Sequence, residues 1–199
     1  MKKTTKIFWE LACQYNSASV TLWEASPVAK CYYNPCMYLL RHTLELQLKG
    51  LILQCSNLDD INLIQIHVSE NKNKKITNVH SLDELWLGFK HYIINYPPQH
   101  LFAEDEMSKI EKVIKFFDKI DHDSTYYRYP ISKSGKRTRM YPAKLSEPLD
   151  VSSELGTHPP VIFFDKKITC LIQSGKKEII KAIEAFDAVE MLFGYFNCL

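Results

Sequence analysis

Residues 38–52 (YLLRHTLELQLKGLI) show helical periodicity with apolar side chains on two faces. At about 100° per residue, one apolar face is formed by Met37, Leu40, Leu44, Leu48 and Leu51. The other apolar face is formed by Leu39, Leu46 and Leu53. A single charged stripe of Arg41, Glu45 and Lys49, with His42 beside it, runs between the two faces. Since a surface helix has one apolar face and a broad polar back, this pattern predicts a central helix with ionisable groups in or near the interior.

Two interpretations of this stripe are open. Arg41–Glu45 and Glu45–Lys49 are spaced four apart, so they can pair within the helix and form a self-neutralised solvated stripe or a buried cluster that fixes helix packing. Alternatively, Arg41, His42 and Glu45 line a polar functional site. Lys49 extends the stripe by one further turn.

The same helical period predicts four other helices. They span residues 7–15, a stretch from Ser81 to Asn95, residues 104–120, and a C-terminal stretch that begins at Lys176. Ser81 is a good N-cap, with Glu84 at the third position of a capping box. Acidic residues at the start of the 104–120 helix suit its dipole.

Strand-like patterns are fewer and lie between the helices. Residues 61–68 fit a short helix or a strand, and residues 71–75 (NKNKK) are predicted as a solvated loop. Residues 125–129 and 137–141 predict a β-hairpin or a looser basic flap. Residues 161–164 and 168–172 predict a second hairpin. The predicted fold class is mainly α: a bundle of four to five helices in one domain (1–199), with a small irregular or β-hairpin insertion (123–172) before the last helix.

Composition narrows the class of protein. The 199 residues are 46% hydrophobic and 24% charged, which is ordinary for a globular chain. The net charge of +2 is close to neutral and therefore does not indicate the kind of partner. No apolar run reaches the ~20 residues that span a bilayer, and no signal peptide follows the N-terminal lysines, so we expect a cytoplasmic protein without membrane contact. The six cysteines form no CxxC pair, so we expect no metal site, and we expect no cofactor.

One basic segment stands out. Between Ser124 and Ser146 there is no acidic residue, and the segment contains four tyrosines and six bases: Arg128, Lys133, Lys136, Arg137, Arg139 and Lys144. Bases neutralise phosphates and aromatic rings stack on nucleobases, so the segment is a candidate RNA-binding region. It could equally be a solvated surface or a docking site for an acidic partner protein. The candidate nucleic-acid-binding residues are Lys49, Tyr127, Lys133, Lys136, Arg137 and Arg139.

Three segments resemble, in this order, a group of bacterial helical proteins. Residues 39–53 (LLRHTLELQLKGLIL) are similar to an RH-x-L-E-L-x-x-K central helix, and residues 79–86 (VHSLDELW) to an H-x-L-x-x-L-W helix start. Residues 121–130 (DHDSTYYRYP) are similar to a D-x-x-S-x-x-(F/Y)-R-Y-P segment. This group belongs to the HEPN superfamily, and the resemblance covers about residues 35–130 and, loosely, the last helix.

The HEPN resemblance implies a helical bundle that forms a homodimer and acts as a ribonuclease in toxin–antitoxin, CRISPR or antiviral defence systems. The superfamily's RNase motif is an Arg followed after four to six residues by a His, and no such pair occurs in this chain, where His42 follows Arg41 directly. The catalytic roles of that motif are therefore not assigned here. The polar residues of the resembling segments are Arg41, His42, Glu45, Lys49, His80, Asp123, Ser124 and Arg128.

By residue type, this set could supply a metal-independent RNase. Cleavage needs a base for the 2′-OH, an acid for the leaving oxygen and a cation for the phosphorane. Histidine can serve as either proton carrier, and arginine can bind phosphate through two parallel hydrogen bonds. The candidate catalytic residues are Arg41, His42, Glu45, His80 and Arg128. His80 could instead only hydrogen-bond a carbonyl at a helix start, and Arg128 could form a structural pair with Glu45 or Asp123.

The sequence therefore predicts an RNA- or nucleotide-directed protein of a bacterial defence or toxin-type system, with a non-standard ribonuclease site. The alternative is a non-catalytic helical module that dimerises or binds a partner protein encoded nearby. Phosphate-loop, GxGxxG, GxSxG and HExxH motifs are absent from the sequence.

Overall fold

A computed structural model describes residues 1–25, 33–56, 58–69, 72–94, 103–122, 124 and 168–198. These residues form five α-helices, two short 3-10 turns and one two-stranded hairpin. The helices are α1 (Lys3–Ala25), α2 (Tyr33–Cys55), α3 (Leu82–Ile94), α4 (Glu104–Ile120) and α5 (Ile168–Cys198). The strands are β1 (Gln65–Ser69) and β2 (Lys72–Lys75). The prediction of a mainly α fold with a small hairpin before the last helix is confirmed.

Helix α2 is the centre of the fold, as its two apolar faces predict. The whole predicted first face, from Met37 to Leu51, is inaccessible to solvent. Helix α1 packs antiparallel to α2, because Lys2 lies beside Gln54 at one end and Ser19 accepts from the Cys36 thiol at the other. On a further face, the Gln47 amide donates to the carbonyl of Val189 in α5 at 2.9 Å.

Helices α3, α4 and α5 complete the bundle with antiparallel neighbours. Ser81 before α3 pairs with Asp118 near the end of α4, and Trp86 one turn into α3 pairs with Glu111 in the middle of α4. The hydroxyl of Tyr195 in α5 donates to Glu106 in the first turn of α4. Each helix thus presents its apolar face to the shared core, which contains the fully buried Trp86 side chain.

The hairpin connects α2 to α3 and packs against α3. Strands β1 and β2 are antiparallel, with Gln65 opposite Lys75 and His67 opposite Asn73. Ile66 points into the core, whereas its neighbours Gln65 and His67 are exposed. The alternation of one buried residue between polar ones is the period-2 pattern of a half-buried strand.

Two predicted elements were wrong. Residues 71–75 are predicted as a loop, but 72–75 are strand β2. The side chains of Asn73 and Lys75 are exposed, and Lys74 pairs with Glu84 of α3 at 2.6 Å. Residues 168–172 were expected to form a strand, but they are the first turns of α5. A short apolar run is compatible with either a strand or a buried helix. Residues 168–172 are helical because they continue into the helix that extends beyond Lys176.

The other boundaries divide into confirmed and extended ones. Helix α4 has the predicted bounds, and Ser81 caps α3, since its Oγ accepts from the Glu84 amide at 3.1 Å. Helix α1 is longer than the predicted 7–15 at both ends. The hairpin predicted at 125–141, the strand at 161–164 and most of the predicted 123–172 insertion lie outside the described residues.

A contact between β1 and α3 gives a first prediction. A Cβ added at Gly88 would lie 3.0 Å from Cγ2 and 3.1 Å from Cβ of Ile66, closer than such atoms normally approach. Alanine favours a helix over glycine by up to about 1 kcal/mol, but overpacking a tight contact costs about 1–3 kcal/mol. We therefore expect Gly88→Ala to lower the free energy of unfolding by about 0.5–2 kcal/mol, measured by urea denaturation.

Gly194 in α5 provides the matched control, because a Cβ there would meet no atom within 4 Å. Gly194→Ala should raise the free energy of unfolding by about 0.5–1 kcal/mol through the helix preference alone. Equal effects of the two substitutions would show that the hairpin can move away from α3 without cost.

Candidate polar site at the α2–α3–α4 junction

The charged stripe of α2 is buried rather than solvated. Arg41 is 0% exposed, Glu45 4% and Lys49 7%. The start of α3 and the end of α4 cover this part of α2. Charges removed from water are costly unless they are paired and hydrogen-bonded, so the partners of these side chains define the local structure.

Arg41 uses its guanidinium to join three helices. Its Nη1 donates to Oε2 of Glu45 at 3.0 Å, within α2. Its Nη2 donates to the carbonyl of His80, just before α3, at 2.5 Å. Its Nε donates to the carbonyl of Asp121, just after α4, at 3.0 Å, and the Asp121 carboxylate lies 3.4 Å away. Because the guanidinium is planar and rigid, these bonds fix the two helix ends relative to α2.

Glu45 is the shared partner of the cluster. Its Oε1 accepts from Nζ of Lys49 at 2.8 Å and lies 2.9 Å from Nδ1 of His80. Burial is the largest single influence on the Glu45 carboxyl and raises its pKa, whereas the charge and hydrogen bond of Lys49 lower it. With further help from Arg41 and His80, the pKa of Glu45 lies below its ordinary value. Glu45 is therefore a carboxylate at neutral pH.

His80 is the accessible member of the cluster. Its side chain is 54% exposed, whereas the Glu45 side chain beside it is 5% exposed. A carboxylate facing Nδ1 favours the ring form with the proton on that nitrogen. Nε2 can then accept or release a proton on the solvent side. This is the geometry of a proton-transfer histidine oriented by a buried carboxylate.

A second polar network adjoins the first. Asp118 of α4 accepts from the Ser81 hydroxyl at 2.8 Å through Oδ1, and its Oδ2 lies 2.7 Å from Nδ1 of His122. Sequence reasoning did not select Asp118, Asp121 or His122. The spacing of four between Asp118 and His122 was the available signal, since it places both on one helical side.

The structure does not bring all the predicted residues together. His42 is half-buried, and its ring contacts Tyr15 of α1 edge-on at 4.5 Å and stacks on Tyr38 at 6.0 Å. Ser124 is buried with φ of 61°, a left-handed conformation that is uncommon outside glycine, and its amide donates to the Asp121 carbonyl at 3.3 Å. The predicted residues that lie outside the described ones are Asp123, Tyr127, Arg128, Lys133, Lys136, Arg137 and Arg139.

A cavity of about 570 Å³ lies elsewhere, between the end of α3 and the first turns of α4. Its lining includes Ile93, Met107 and Glu111, and none of the predicted site residues. Glu111 accepts hydrogen bonds from Trp86, Lys90 and Lys115, and these bonds, led by that of Lys115, lower the pKa of Glu111 to about 2. The cavity and the junction therefore have no lining residue in common.

Within the described ranges, no group of three or more His, Cys, Asp and Glu side chains is arranged to hold a metal ion. No helix formed by those residues combines the length and apolar character needed to cross a membrane.

No protein-family model, curated protein or solved structure matches the chain. The HEPN resemblance thus stays a prediction from three sequence segments.

Proposed function

We propose that the chain is an RNA-directed protein of a bacterial defence or toxin-type system, with a non-standard, metal-independent ribonuclease site at the α2–α3–α4 junction. The observation that carries the proposal is the Glu45–His80 pair. A buried carboxylate orients a solvent-exposed imidazole through Nδ1 at 2.9 Å, which leaves Nε2 available to a substrate. The HEPN resemblance supports RNA as the substrate class.

The chemistry assigned to His80 is proton transfer during internal cleavage of RNA. Neutral Nε2 takes the proton of the ribose 2′-OH, and that oxygen attacks the adjacent phosphorus. The bond from phosphorus to the 5′-oxygen breaks, and this oxygen takes a proton from a general acid, either a protonated side chain or water, as it leaves. The products are a 2′,3′-cyclic phosphate and a 5′-hydroxyl end, and no metal is consumed or required.

Arg41 has a different role from the one predicted. Each of its Nε, Nη1 and Nη2 atoms already faces a protein oxygen, and the side chain is inaccessible to solvent. It cannot clamp a phosphate without losing those bonds, so it is a positioning residue that holds Glu45 and the carbonyl of His80. The cation that stabilises the phosphorane is assigned to the basic segment, including Arg128.

Cleavage of a 5′-labelled single-stranded RNA by the purified protein tests the proposal, with a chelator in one series and Mg²⁺ in another. We expect cleavage at equal rates in both series and cyclic-phosphate product ends. If the protein, in excess over RNA, gives no cleavage products, or gives them only with Mg²⁺, the proposal is contradicted.

The alternative is a non-catalytic module that dimerises or binds a partner protein. The mutual pairing of Arg41, Glu45 and Lys49 favours it, because a cluster that neutralises itself can serve helix packing alone. This alternative predicts no cleavage in either series. The homodimer that the HEPN resemblance implies is tested separately by light scattering on the purified protein.

Binding to RNA is assigned to the basic segment, and this gives a prediction. Neutralising four of its bases (Lys133→Gln, Lys136→Gln, Arg137→Gln, Arg139→Gln) should weaken RNA binding and flatten its salt dependence. The logarithm of the binding constant falls with the logarithm of the salt concentration. Each lost phosphate contact makes this slope less steep by about 0.7 for single strands, so the loss of four contacts makes it less steep by about 2.8. Fluorescence anisotropy at several salt concentrations measures this slope.

The control removes the same charge elsewhere. Lys3, Lys6, Lys109 and Lys119 are exposed on α1 and α4, and Lys6 and Lys109 form only exposed ion pairs. Replacing these four by Gln should leave the salt slope nearly unchanged. If both quadruple variants lose affinity equally, binding reflects net charge and the basic segment has no special role.

A further inference from the structure

We propose that His80 and His122 act together as one phosphate-binding, proton-transfer pair, with His122 as a catalytic residue in addition to His80. The proposal rests on the proposed function for its substrate class, a phosphodiester. His122 immediately follows Asp121, whose carbonyl Arg41 binds, and it lies within the third of the sequence segments that resemble HEPN proteins.

Both rings are prepared in the same way. In each, Nδ1 faces a carboxylate: Oε1 of Glu45 at 2.9 Å from His80, and Oδ2 of Asp118 at 2.7 Å from His122. The rings are 54% and 65% exposed, while the two carboxylates are 5% and 15% exposed. Among the described residues, Nε2 of neither ring has a hydrogen-bond partner. Two exposed imidazoles therefore have Nδ1 beside a carboxylate and, within the described residues, an unused Nε2.

A common frame holds the two histidines at one end of the bundle. Ser81, the neighbour of His80, donates to Oδ1 of Asp118, whose other oxygen holds His122. Independently, Arg41 binds the carbonyls of His80 and of Asp121 through two nitrogens of one planar group. The start of α3 and the end of α4 are thus joined twice, once through Ser81 and Asp118 and once through Arg41.

The charges around the pair make anion binding depend on the rings themselves. Among the described residues, the charged groups that pair with the rings or with their partners are the carboxylates of Glu45, Asp118 and Asp121 and the cations of Arg41 and Lys49. With both rings neutral, negative charge is in excess and a phosphate is repelled. Protonation of both rings reverses the balance, so a phosphate gains affinity as the histidines gain protons.

This arrangement supplies the two proton carriers that RNA cleavage needs. One neutral ring accepts the 2′-OH proton while the other, protonated ring donates a proton to the leaving 5′-oxygen as its bond to phosphorus breaks. After the step the protonation states are exchanged, and exchange with water restores them.

Nuclear magnetic resonance of the ring protons tests the pair without relying on cleavage. Inorganic phosphate is titrated into the full-length protein slightly below neutrality, where imidazole titrates. The signals are assigned with His80→Gln and His122→Gln variants, and His91 on the outer side of α3 serves as the internal control. We expect the His80 and His122 signals to shift along one saturation curve, and the His91 signal to stay in place.

The variants sharpen the result. In His122→Gln, phosphate should saturate the His80 signal at a concentration about tenfold higher or more, because a charge-assisted hydrogen bond is lost. The proposal that the two histidines bind one phosphate would be overturned if only one of their signals shifts, if the two signals follow different saturation curves, or if neither shifts. Joint phosphate binding without RNA cleavage would overturn the proposed ribonuclease function and the proton-transfer role of the two histidines, but would keep their joint phosphate site. Cleavage at the unaltered rate by His122→Gln would overturn the pair and keep the function.

Discussion

Replacing Arg41 by Met is expected to lower the free energy of unfolding by about 3–5 kcal/mol. Met replaces the aliphatic part of the Arg41 side chain, so most of the loss comes from the polar groups that the guanidinium binds. Without the guanidinium, the carbonyls of His80 and Asp121 lose their buried donor. Glu45 also loses one of its cations while it stays 4% exposed. Breaking one side of a buried ionic network leaves the other charges inside without full compensation.

The matched control is Lys109→Met on α4. Lys109 and its partner Asp105 are 61% and 71% exposed, and exposed ion pairs contribute at most about 1 kcal/mol. Urea denaturation followed by circular dichroism measures both variants. If Arg41→Met unfolds at the same urea concentration as Lys109→Met, the guanidinium is not needed for folding and its conformation would have to be explained by function.

Helical periodicity predicts those parts of the fold that depend on neighbours along the chain. The apolar positions of residues 104–120 gave α4 its full bounds, and the two apolar faces of residues 38–52 placed α2 in the centre. Ser81 was recognisable as a cap from its type and its distance from Glu84. In each case the deciding interactions join residues less than five positions apart.

The same reasoning failed where the partner is distant in sequence. In the hairpin, residues 72–75 contain no apolar residue. They form a strand because their backbone pairs with β1 and the Lys74 ammonium pairs with Glu84 of α3. The capping box was only half formed for the same reason. The Glu84 carboxylate binds Lys74, which no local pattern indicated.

The candidate site shows the same division. The helical period places Arg41, Glu45 and Lys49 on one side of α2, where they pair. The position of a residue around the helix axis does not show which other helix packs against it. His42 lies beside the stripe by angle, yet its ring contacts Tyr15 of α1 edge-on and stacks on Tyr38. His80 and Asp121, which complete the cluster, are 39 and 80 positions away from Arg41. Only the packing of α3 and α4 brings them to it.

His80→Gln is expected to lower the rate of RNA cleavage by about 100-fold or more, the usual contribution of a positioned proton carrier. The Gln side chain can still donate a hydrogen bond to Glu45, so the buried carboxylate keeps its partner, but an amide cannot exchange a proton near neutral pH. Because the His80 ring is half exposed, its loss opens no cavity. We therefore expect the melting temperature to change by no more than a few degrees.

His91→Gln is the matched control, the same substitution at an exposed position of α3 whose ring contacts Tyr92. It should cleave RNA at the rate of the unaltered protein. Single-turnover rates with labelled RNA, and melting curves for both variants, separate chemistry from folding. A 100-fold loss confined to His80→Gln would make the Glu45–His80 pair part of the reaction. Unaltered cleavage by His80→Gln would place the reaction elsewhere, and the buried cluster would then serve to join α2 to the ends of α3 and α4.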